Sequence, residues 1–168
     1  CVWNTVRTAT ELTDNMSLSI ANPETTAGLV AYYPFDQGVA SEGNGTVTTL
    51  LDKSANHLNG TLNNFSLGNF SNWCERTTGD NTLHFDGVDD YVDLGASAAV
   101  NYSNGFSFTA LVKWDKFNSW SRIIDFGNGG GSDNILFANN GTQSTLYFSV
   151  RKGSAETFLT ANKSLSAN

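Results

Sequence analysis

Short segments of alternating character, separated by turn residues, follow one another from residue 29 to residue 159 and constrain the fold more than any other feature. The clearest spans residues 106–114, where Phe106, Phe108, Ala110, Val112 and Trp114 occupy every second position. Successive side chains of a strand point to opposite faces of a sheet. The pattern therefore predicts a strand with one face in the core.

Further strands are predicted at residues 29–35, 46–51, 81–85, 91–94, 122–126, 134–138, 145–151 and 156–159. The turns at 86–90 and 139–142 contain Asp-Gly and Asn-Gly, which are typical of β-hairpins. Many short strands at this spacing indicate a β-sandwich or jelly roll.

One helix is predicted ahead of the strands. Thr8 and Glu11 have the spacing of a capping box, and Leu12 and Met16 continue at helical spacing. We therefore expect a short helix near Thr10–Met16, followed by a linker at residues 24–28.

The composition narrows the class of protein. The chain has 168 residues, one domain's worth, and only 15% are charged, against about 25% in an average globular protein. A net charge of −7 argues against nucleic acid as a partner. No apolar run approaches the roughly 18 residues that span a bilayer, so no membrane insertion is expected. The abundance of Asn, Gly, Ser and Thr favours a secreted or cell-surface module.

Four segments occur in a fixed order at residues 28–38, 52–61, 83–92 and 106–110. This series resembles the laminin-G-like, concanavalin-A-like jelly-roll domains that form repeats in large secreted and surface proteins. The resemblance covers residues 27–168 and implies an all-β, antiparallel, two-sheet jelly-roll sandwich. It also implies an extracellular module for binding or adhesion.

The chain departs from this family at both ends. Residues 1–12 resemble the family's final strand and trailing helix, so residues 1–26 are predicted to be the tail of a preceding or permuted unit. Residues 27–168 are predicted to be a jelly roll that lacks its last strands. The chain is a fragment, or another chain supplies these strands, or the domain closes early. We expect completion by another polypeptide, because an unfinished sandwich exposes an edge and an apolar face.

Clustered carboxylates are the first candidate site. Asp86, Asp89 and Asp90 share one turn, and Asp52 and Asn56 lie in another loop. Oxygen ligands on loops suit Ca²⁺, and the resemblance extends a structural calcium to both places. The alternative is that these aspartates only stabilise turns, because an Asp side chain can hydrogen-bond the backbone of its own turn.

Aromatic residues are the second candidate site. Trp73, Phe117 and Trp120 lie among polar neighbours, where their rings would stack on sugars. Trp114 falls on the core face of its strand. Burial beneath a loop is the alternative for each of the others.

No catalytic site is predicted. The glutamates are scattered singly, whereas glycoside hydrolysis needs two carboxylates in one cleft. His57 and His84 have no Ser or Cys nucleophile arranged beside them. Two functions remain: a module that recognises a glycan or a cell-surface protein, and a structural subunit of a filament, spacer or surface layer. In the second, neighbouring copies or other chains supply the missing strands.

Two covalent modifications are also predicted. Cys1 and Cys74 form a disulfide in an oxidising compartment, or they remain free or pair with another chain. Asn-x-Ser/Thr sequons for glycosylation begin at Asn15, Asn44, Asn59, Asn64, Asn69, Asn101, Asn140 and Asn162.

Overall fold

The computed structural model describes residues 1–16, 18–76, 81–95, 101–127 and 131–167. It is mainly β with one short helix near the N-terminus, which confirms this part of the predicted fold class. The helix is α1 (Ala9–Asn15), and a 3-10 turn follows at Pro23–Thr25. The strands are β1 (Val2–Trp3), β2 (Leu29–Ala31), β3 (Thr49–Leu50), β4 (Gly60–Asn63), β5 (Asn72–Glu75), β6 (Asn81–His84), β7 (Tyr91–Asp93), β8 (Ser107–Phe108), β9 (Arg122–Phe126), β10 (Ile135–Asn139), β11 (Thr145–Lys152) and β12 (Ala155–Ser164).

The predicted capping box begins helix α1. The Thr8 hydroxyl accepts the Glu11 N–H, and the Glu11 carboxylate accepts the Thr8 N–H. Both bonds satisfy donors that a helix start leaves free, so this local signal sufficed to place the helix. Among the described residues, no helix has the length and apolar character of a membrane-spanning segment.

The chain divides into two compact units, Cys1–Thr109 and Ala110–Asn168. The first unit holds three sheets, with strand orders β2-β1-β8, β3-β4-β7 and β5-β6. The second holds one sheet in the order β12-β11-β10-β9. All strand pairs within these four sheets are antiparallel, and in the described ranges none of the sheets closes on itself.

The hairpin predicted across residues 81–94 is wrong. Strand β6 pairs with β5, and β7 pairs with β4, so the two strands flanking the 86–90 turn belong to different sheets. The turn bonds are local: the Asp90 carboxylate accepts the Asp86 N–H, and the Asp86 carboxylate accepts the Val88 N–H. Such a turn forms without requiring its flanking strands to pair.

The long strand predicted at residues 106–114 is also wrong in extent. Only Ser107–Phe108 forms a strand, and Val112 on the predicted core face is exposed. By contrast, the predicted hairpin around residues 139–142 is confirmed by the pairing of β10 with β11. The predicted strand at 156–159 is confirmed and is longer, as β12.

Each unit has its own buried cluster. One buried cluster of the first unit is built on the fully buried Trp73, packed with Leu50, Leu62, Leu67 and Leu83. The first unit also buries Val2, Trp3, Leu29, Val30 and Ala31. The second buries Leu136, Ala138 and Tyr147. The smaller second cluster leaves large apolar side chains of its sheet at the surface.

Candidate functional site

Three aromatic rings of the second unit lie in contact, and we call Trp120, Tyr147 and Phe158 the aromatic row. The ring centroids of Trp120 and Tyr147 are 5.1 Å apart, edge to face. Those of Tyr147 and Phe158 are 5.4 Å apart and stacked. Trp120 is 36% exposed and Phe158 57% exposed, whereas Tyr147 is buried. The row therefore offers two accessible rings fixed against a buried one.

The strand register explains why two of these rings meet. Phe158 lies directly opposite Ser149, which is two residues beyond Tyr147 on the same strand. Residues two apart on a strand share a face, so Phe158 is the diagonal neighbour of Tyr147. Such diagonal neighbours are within reach of aromatic side chains.

A loop carries Trp120 onto this row. Trp120 has a φ of 56°, which is uncommon for a bulky residue, and its N–H donates to the carbonyl of Gly141 at 2.8 Å. Below it, the fully buried Asn139 amide donates to the carbonyls of Asn118 and Gly141, and its oxygen accepts the Ser121 N–H. These bonds hold the loop to the β10–β11 turn and position the indole.

Tyr147 is held from the other side by an ion pair. Its hydroxyl donates to Glu156 at 2.6 Å, and Arg151 donates to the same carboxylate at 2.9 Å. Burial raises the pKa of Tyr147, and Glu156 raises it further. The bond from Tyr147 holds the pKa of Glu156 below its ordinary value, and Arg151 also lowers it. Both shifts favour the bonded state of the pair near neutral pH, with Tyr147 protonated and Glu156 ionised.

A second ion pair borders the row. Arg122 donates to Asp125 at 2.8 Å, and its guanidinium also bonds the carbonyl of Trp120. Asp125 lies opposite Leu136, which in turn lies opposite Ser149. Because Ser149 also lies opposite Phe158, Asp125 and Phe158 share one face of the sheet. Hydrogen-bond donors and acceptors therefore lie on the same face as the rings.

The other aromatic candidates lie elsewhere. Trp73 is fully buried in the first unit, so its ring presents no face to solvent. Phe117 is half-buried and packs against Trp114 at 5.5 Å. Of the three residues predicted to stack on sugars, only Trp120 is exposed and belongs to a row of contacting rings.

The Asp86–Asp90 turn brings three carboxylates together. Oxygens of Asp86, Asp89 and Asp90 lie within 4.8 Å of one another. Asp90 Oδ1 is buried and has no hydrogen-bond partner among the described residues. The cluster supplies three hard oxygen ligands, of the kind that Ca²⁺ takes.

Asp52 and Asn56 are not part of that cluster. The Asp52 carboxylate is buried and accepts four hydrogen bonds of 2.8 Å, from the N–H groups of Tyr32, Ser54 and Leu58 and from the Ser54 hydroxyl. Asn56 donates to the carbonyl of Val30. Asn56 ties the loop to strand β2, and Asp52 ties it to Tyr32, directly after that strand. The four donors occupy the Asp52 oxygens that an ion would need.

Both cysteines are free thiols in this structure, with Cys1 half-buried and Cys74 exposed. The disulfide stays a prediction. Among the sequons, Asn15, Asn59, Asn64, Asn69 and Asn101 are exposed and Asn140 is half-buried. Asn44 is buried and donates to Val39, Glu42 and Asn72, so a glycan there would displace these bonds. The side chain of Asn162 lies outside the described residues.

No family model, curated protein or solved structure matches this chain. The laminin-G-like resemblance therefore stays a prediction, and the function is argued from the geometry.

Proposed function

We propose that this chain is a secreted or cell-surface, non-catalytic module that binds glycans through the aromatic row. One observation carries the proposal: Trp120 and Phe158 keep exposed rings against the buried ring of Tyr147. Aromatic rings combine a large apolar surface with few rotatable bonds. They therefore suit the apolar C–H face of a pyranose. A cell-surface protein is the alternative ligand.

Polar groups beside the aromatic row can form hydrogen bonds with sugar hydroxyls. The Arg122–Asp125 and Arg151–Glu156 pairs each offer donors and acceptors next to the rings. Binding sites commonly combine an apolar surface with a few polar groups that fix the ligand's orientation. Within each pair the two charges are opposite, so the pair has no net charge, which favours a neutral glycan over a charged one.

We also propose the laminin-G-like jelly roll as the complete architecture. The exclusively antiparallel pairing within the sheets supports it. So does strand β1, which pairs with both β2 and β8 and thus lies inside a sheet, as the resemblance of residues 1–12 to a final strand implies.

Glycan binding is tested on an array with three proteins. We expect the wild type to bind neutral glycans and Trp120→Ala to lose roughly tenfold or more in affinity, because an exposed stacking surface is removed. Phe70→Ala is the matched control, since Phe70 is also exposed and lies in the first unit. Equal binding by all three proteins would contradict the proposal.

One observation favours the structural alternative. Strand β12 is the edge of its sheet, runs for 10 residues and contains Leu159, which is 70% exposed. Residues 157–161 include neither charge nor proline, the usual guards of an edge. In this function, another chain of the same protein adds a strand to β12, as in a filament or surface layer.

Strand addition predicts concentration-dependent self-association. We expect Leu159→Lys to weaken it, because a charge on an edge strand opposes pairing. Leu159 lies opposite Phe148 and not on the face of the row, so glycan binding is retained. Sedimentation velocity over a concentration series measures the effect, with the exposed Val88→Lys as control. A wild type that stays monomeric at every concentration would rule out this function.

We further propose that the Asp86–Asp90 turn binds a structural Ca²⁺. The three clustered carboxylates and the unpartnered Asp90 oxygen support it. Because Ca²⁺ takes about 6–8 oxygens, water and backbone carbonyls would complete its shell. Asp52 is not assigned to this site.

Thermal melts in calcium and in chelator test whether the Asp86–Asp90 turn binds Ca²⁺. We expect calcium to stabilise the fold, by about 2.7 kcal/mol when free calcium is a hundredfold above Kd. Asp89→Asn should remove this response, because it removes one of the clustered charges. If the wild type melts at the same temperature in both buffers, the three aspartates are turn formers alone.

A further inference from the structure

The first unit contains a pocket that the aromatic row does not involve. Its volume is ≈ 430 Å³, and its lining includes Tyr32, Pro34, Asp36, Glu24 and Lys53. Pockets for small molecules occupy about 300–1,000 Å³. The pocket is an open depression, not an enclosed cavity, and it has room for one or two sugar rings.

The chain builds this pocket by alternation. Tyr33 and Phe35 pack against the core of the first unit, whereas Tyr32, Pro34 and Asp36 line the pocket. Along this segment, residues that line the pocket alternate with residues that pack against the core. The pocket wall is anchored because its neighbours are core residues.

Asp52 holds the same wall in place. Its carboxylate accepts the Tyr32 N–H at 2.8 Å, and the Tyr32 carbonyl accepts the Lys53 N–H at 2.9 Å. Tyr32 and Lys53, from two separate segments, are thereby fixed relative to each other. Such preorganisation lowers the entropy cost of binding.

The polar groups of the pocket are available to a ligand. Among the described residues, the carboxylates of Glu24 and Asp36 and the ammonium of Lys53 make no hydrogen bond or ion pair. The carboxylates can accept hydrogen bonds from hydroxyl groups and the ammonium can donate them, and the lining also includes Tyr32 and Pro34. The two carboxylates outweigh Lys53 in charge and disfavour an anion, and the hydroxyl groups of a neutral ligand can bond to all three groups.

We propose that this pocket is a second subsite, specific for a neutral pyranose. Its ligand class rests on the proposed glycan-binding function, but its residues belong to a different unit from the aromatic row.

Saturation-transfer NMR with methyl β-D-glucopyranoside, methyl β-D-galactopyranoside and methyl α-D-mannopyranoside tests the subsite. The starting protein is Trp120→Ala, in which the aromatic row has lost one of its two exposed rings and the pocket is intact. We expect at least one probe to bind it, and the added change Tyr32→Ala to weaken that binding about tenfold. Tyr32→Ala keeps the main-chain bonds to Asp52 and Lys53. The exposed Asp36→Ala is a second variant with the same expected direction, and Phe70→Ala is the control.

Binding that is unchanged by both Tyr32→Ala and Asp36→Ala would overturn the subsite. So would a wild type that binds a probe while Trp120→Ala binds none, although glycan binding by the row would then stand. A wild type that binds no probe also overturns the subsite, and the glycan array then decides the proposed function separately.

Discussion

Replacing Asp52 with asparagine is expected to lower the free energy of unfolding by about 3 kcal/mol. The buried carboxylate accepts four hydrogen bonds, three of them from backbone N–H groups. An amide offers one oxygen, and its NH₂ group would face donors. Each buried donor left unsatisfied costs roughly 1–3 kcal/mol, so the loss exceeds that of an ordinary surface change.

Denaturant unfolding in calcium and in chelator measures this loss. We expect the same decrease in both buffers, because Asp52 acts through the fold and not through an ion. Asp93→Asn is the matched control, since Asp93 is exposed and its side chain accepts a single turn bond from Gly95. A decrease confined to the calcium buffer would place Asp52 at a metal site instead.

Truncating Trp73 to alanine is expected to cost about 3–5 kcal/mol. Trp73 has 0% exposure and packs with four leucines, so truncation removes buried contacts and leaves a cavity. Its indole nitrogen has no hydrogen-bond partner among the described residues. Trp73→Phe should therefore cost clearly less, because it loses no hydrogen bond and less volume.

Gly38 provides an independent test of this packing. A Cβ built on Gly38 would lie 2.3 Å from the Trp73 ring, and its φ of 73° disfavours any other residue. Gly38→Ala should thus be strongly destabilising in the wild type and less so beside Trp73→Ala, where the ring is gone. Chemical unfolding of the four proteins measures this coupling. Strictly additive costs would contradict the contact, and Trp120→Ala serves as the exposed tryptophan control.

The accuracy of the sequence-based predictions follows the range of the interactions involved. Helix α1 was predictable because Thr8 and Glu11 cap it within one turn. The 86–90 turn was recognisable, yet its flanking strands pair with β4 and β5, which no local signal indicated. The missed strands Gly60–Asn63 and Asn72–Glu75 are short. Gly60–Asn63 pairs with β3 and with the more distant β7, whereas Asn72–Glu75 pairs with β6, the next strand along the chain.

The candidate site was predictable only in part, for the same reason. Trp120 was predictable as a sugar-stacking residue because it lies among polar neighbours in the sequence. Tyr147 and Phe158 were missed because their contact depends on the β11–β12 register, although the alternation in both strands offered a signal. Asn139 was taken as a turn residue, and its burial beneath the loop depends on tertiary packing. The resemblance extended the calcium prediction of the turn aspartates to Asp52, whose four hydrogen bonds instead tie its loop to the fold.

Amide NMR spectra recorded during titration with the strongest neutral oligosaccharide from the array test the central claim most directly. We expect the indole N–H of Trp120 and the amides of Tyr147 and Phe158 to shift together and to saturate with one affinity, because the three rings form one contact surface. If the oligosaccharide shifts other signals and leaves those of all three residues unchanged, the aromatic row is not the glycan-binding site.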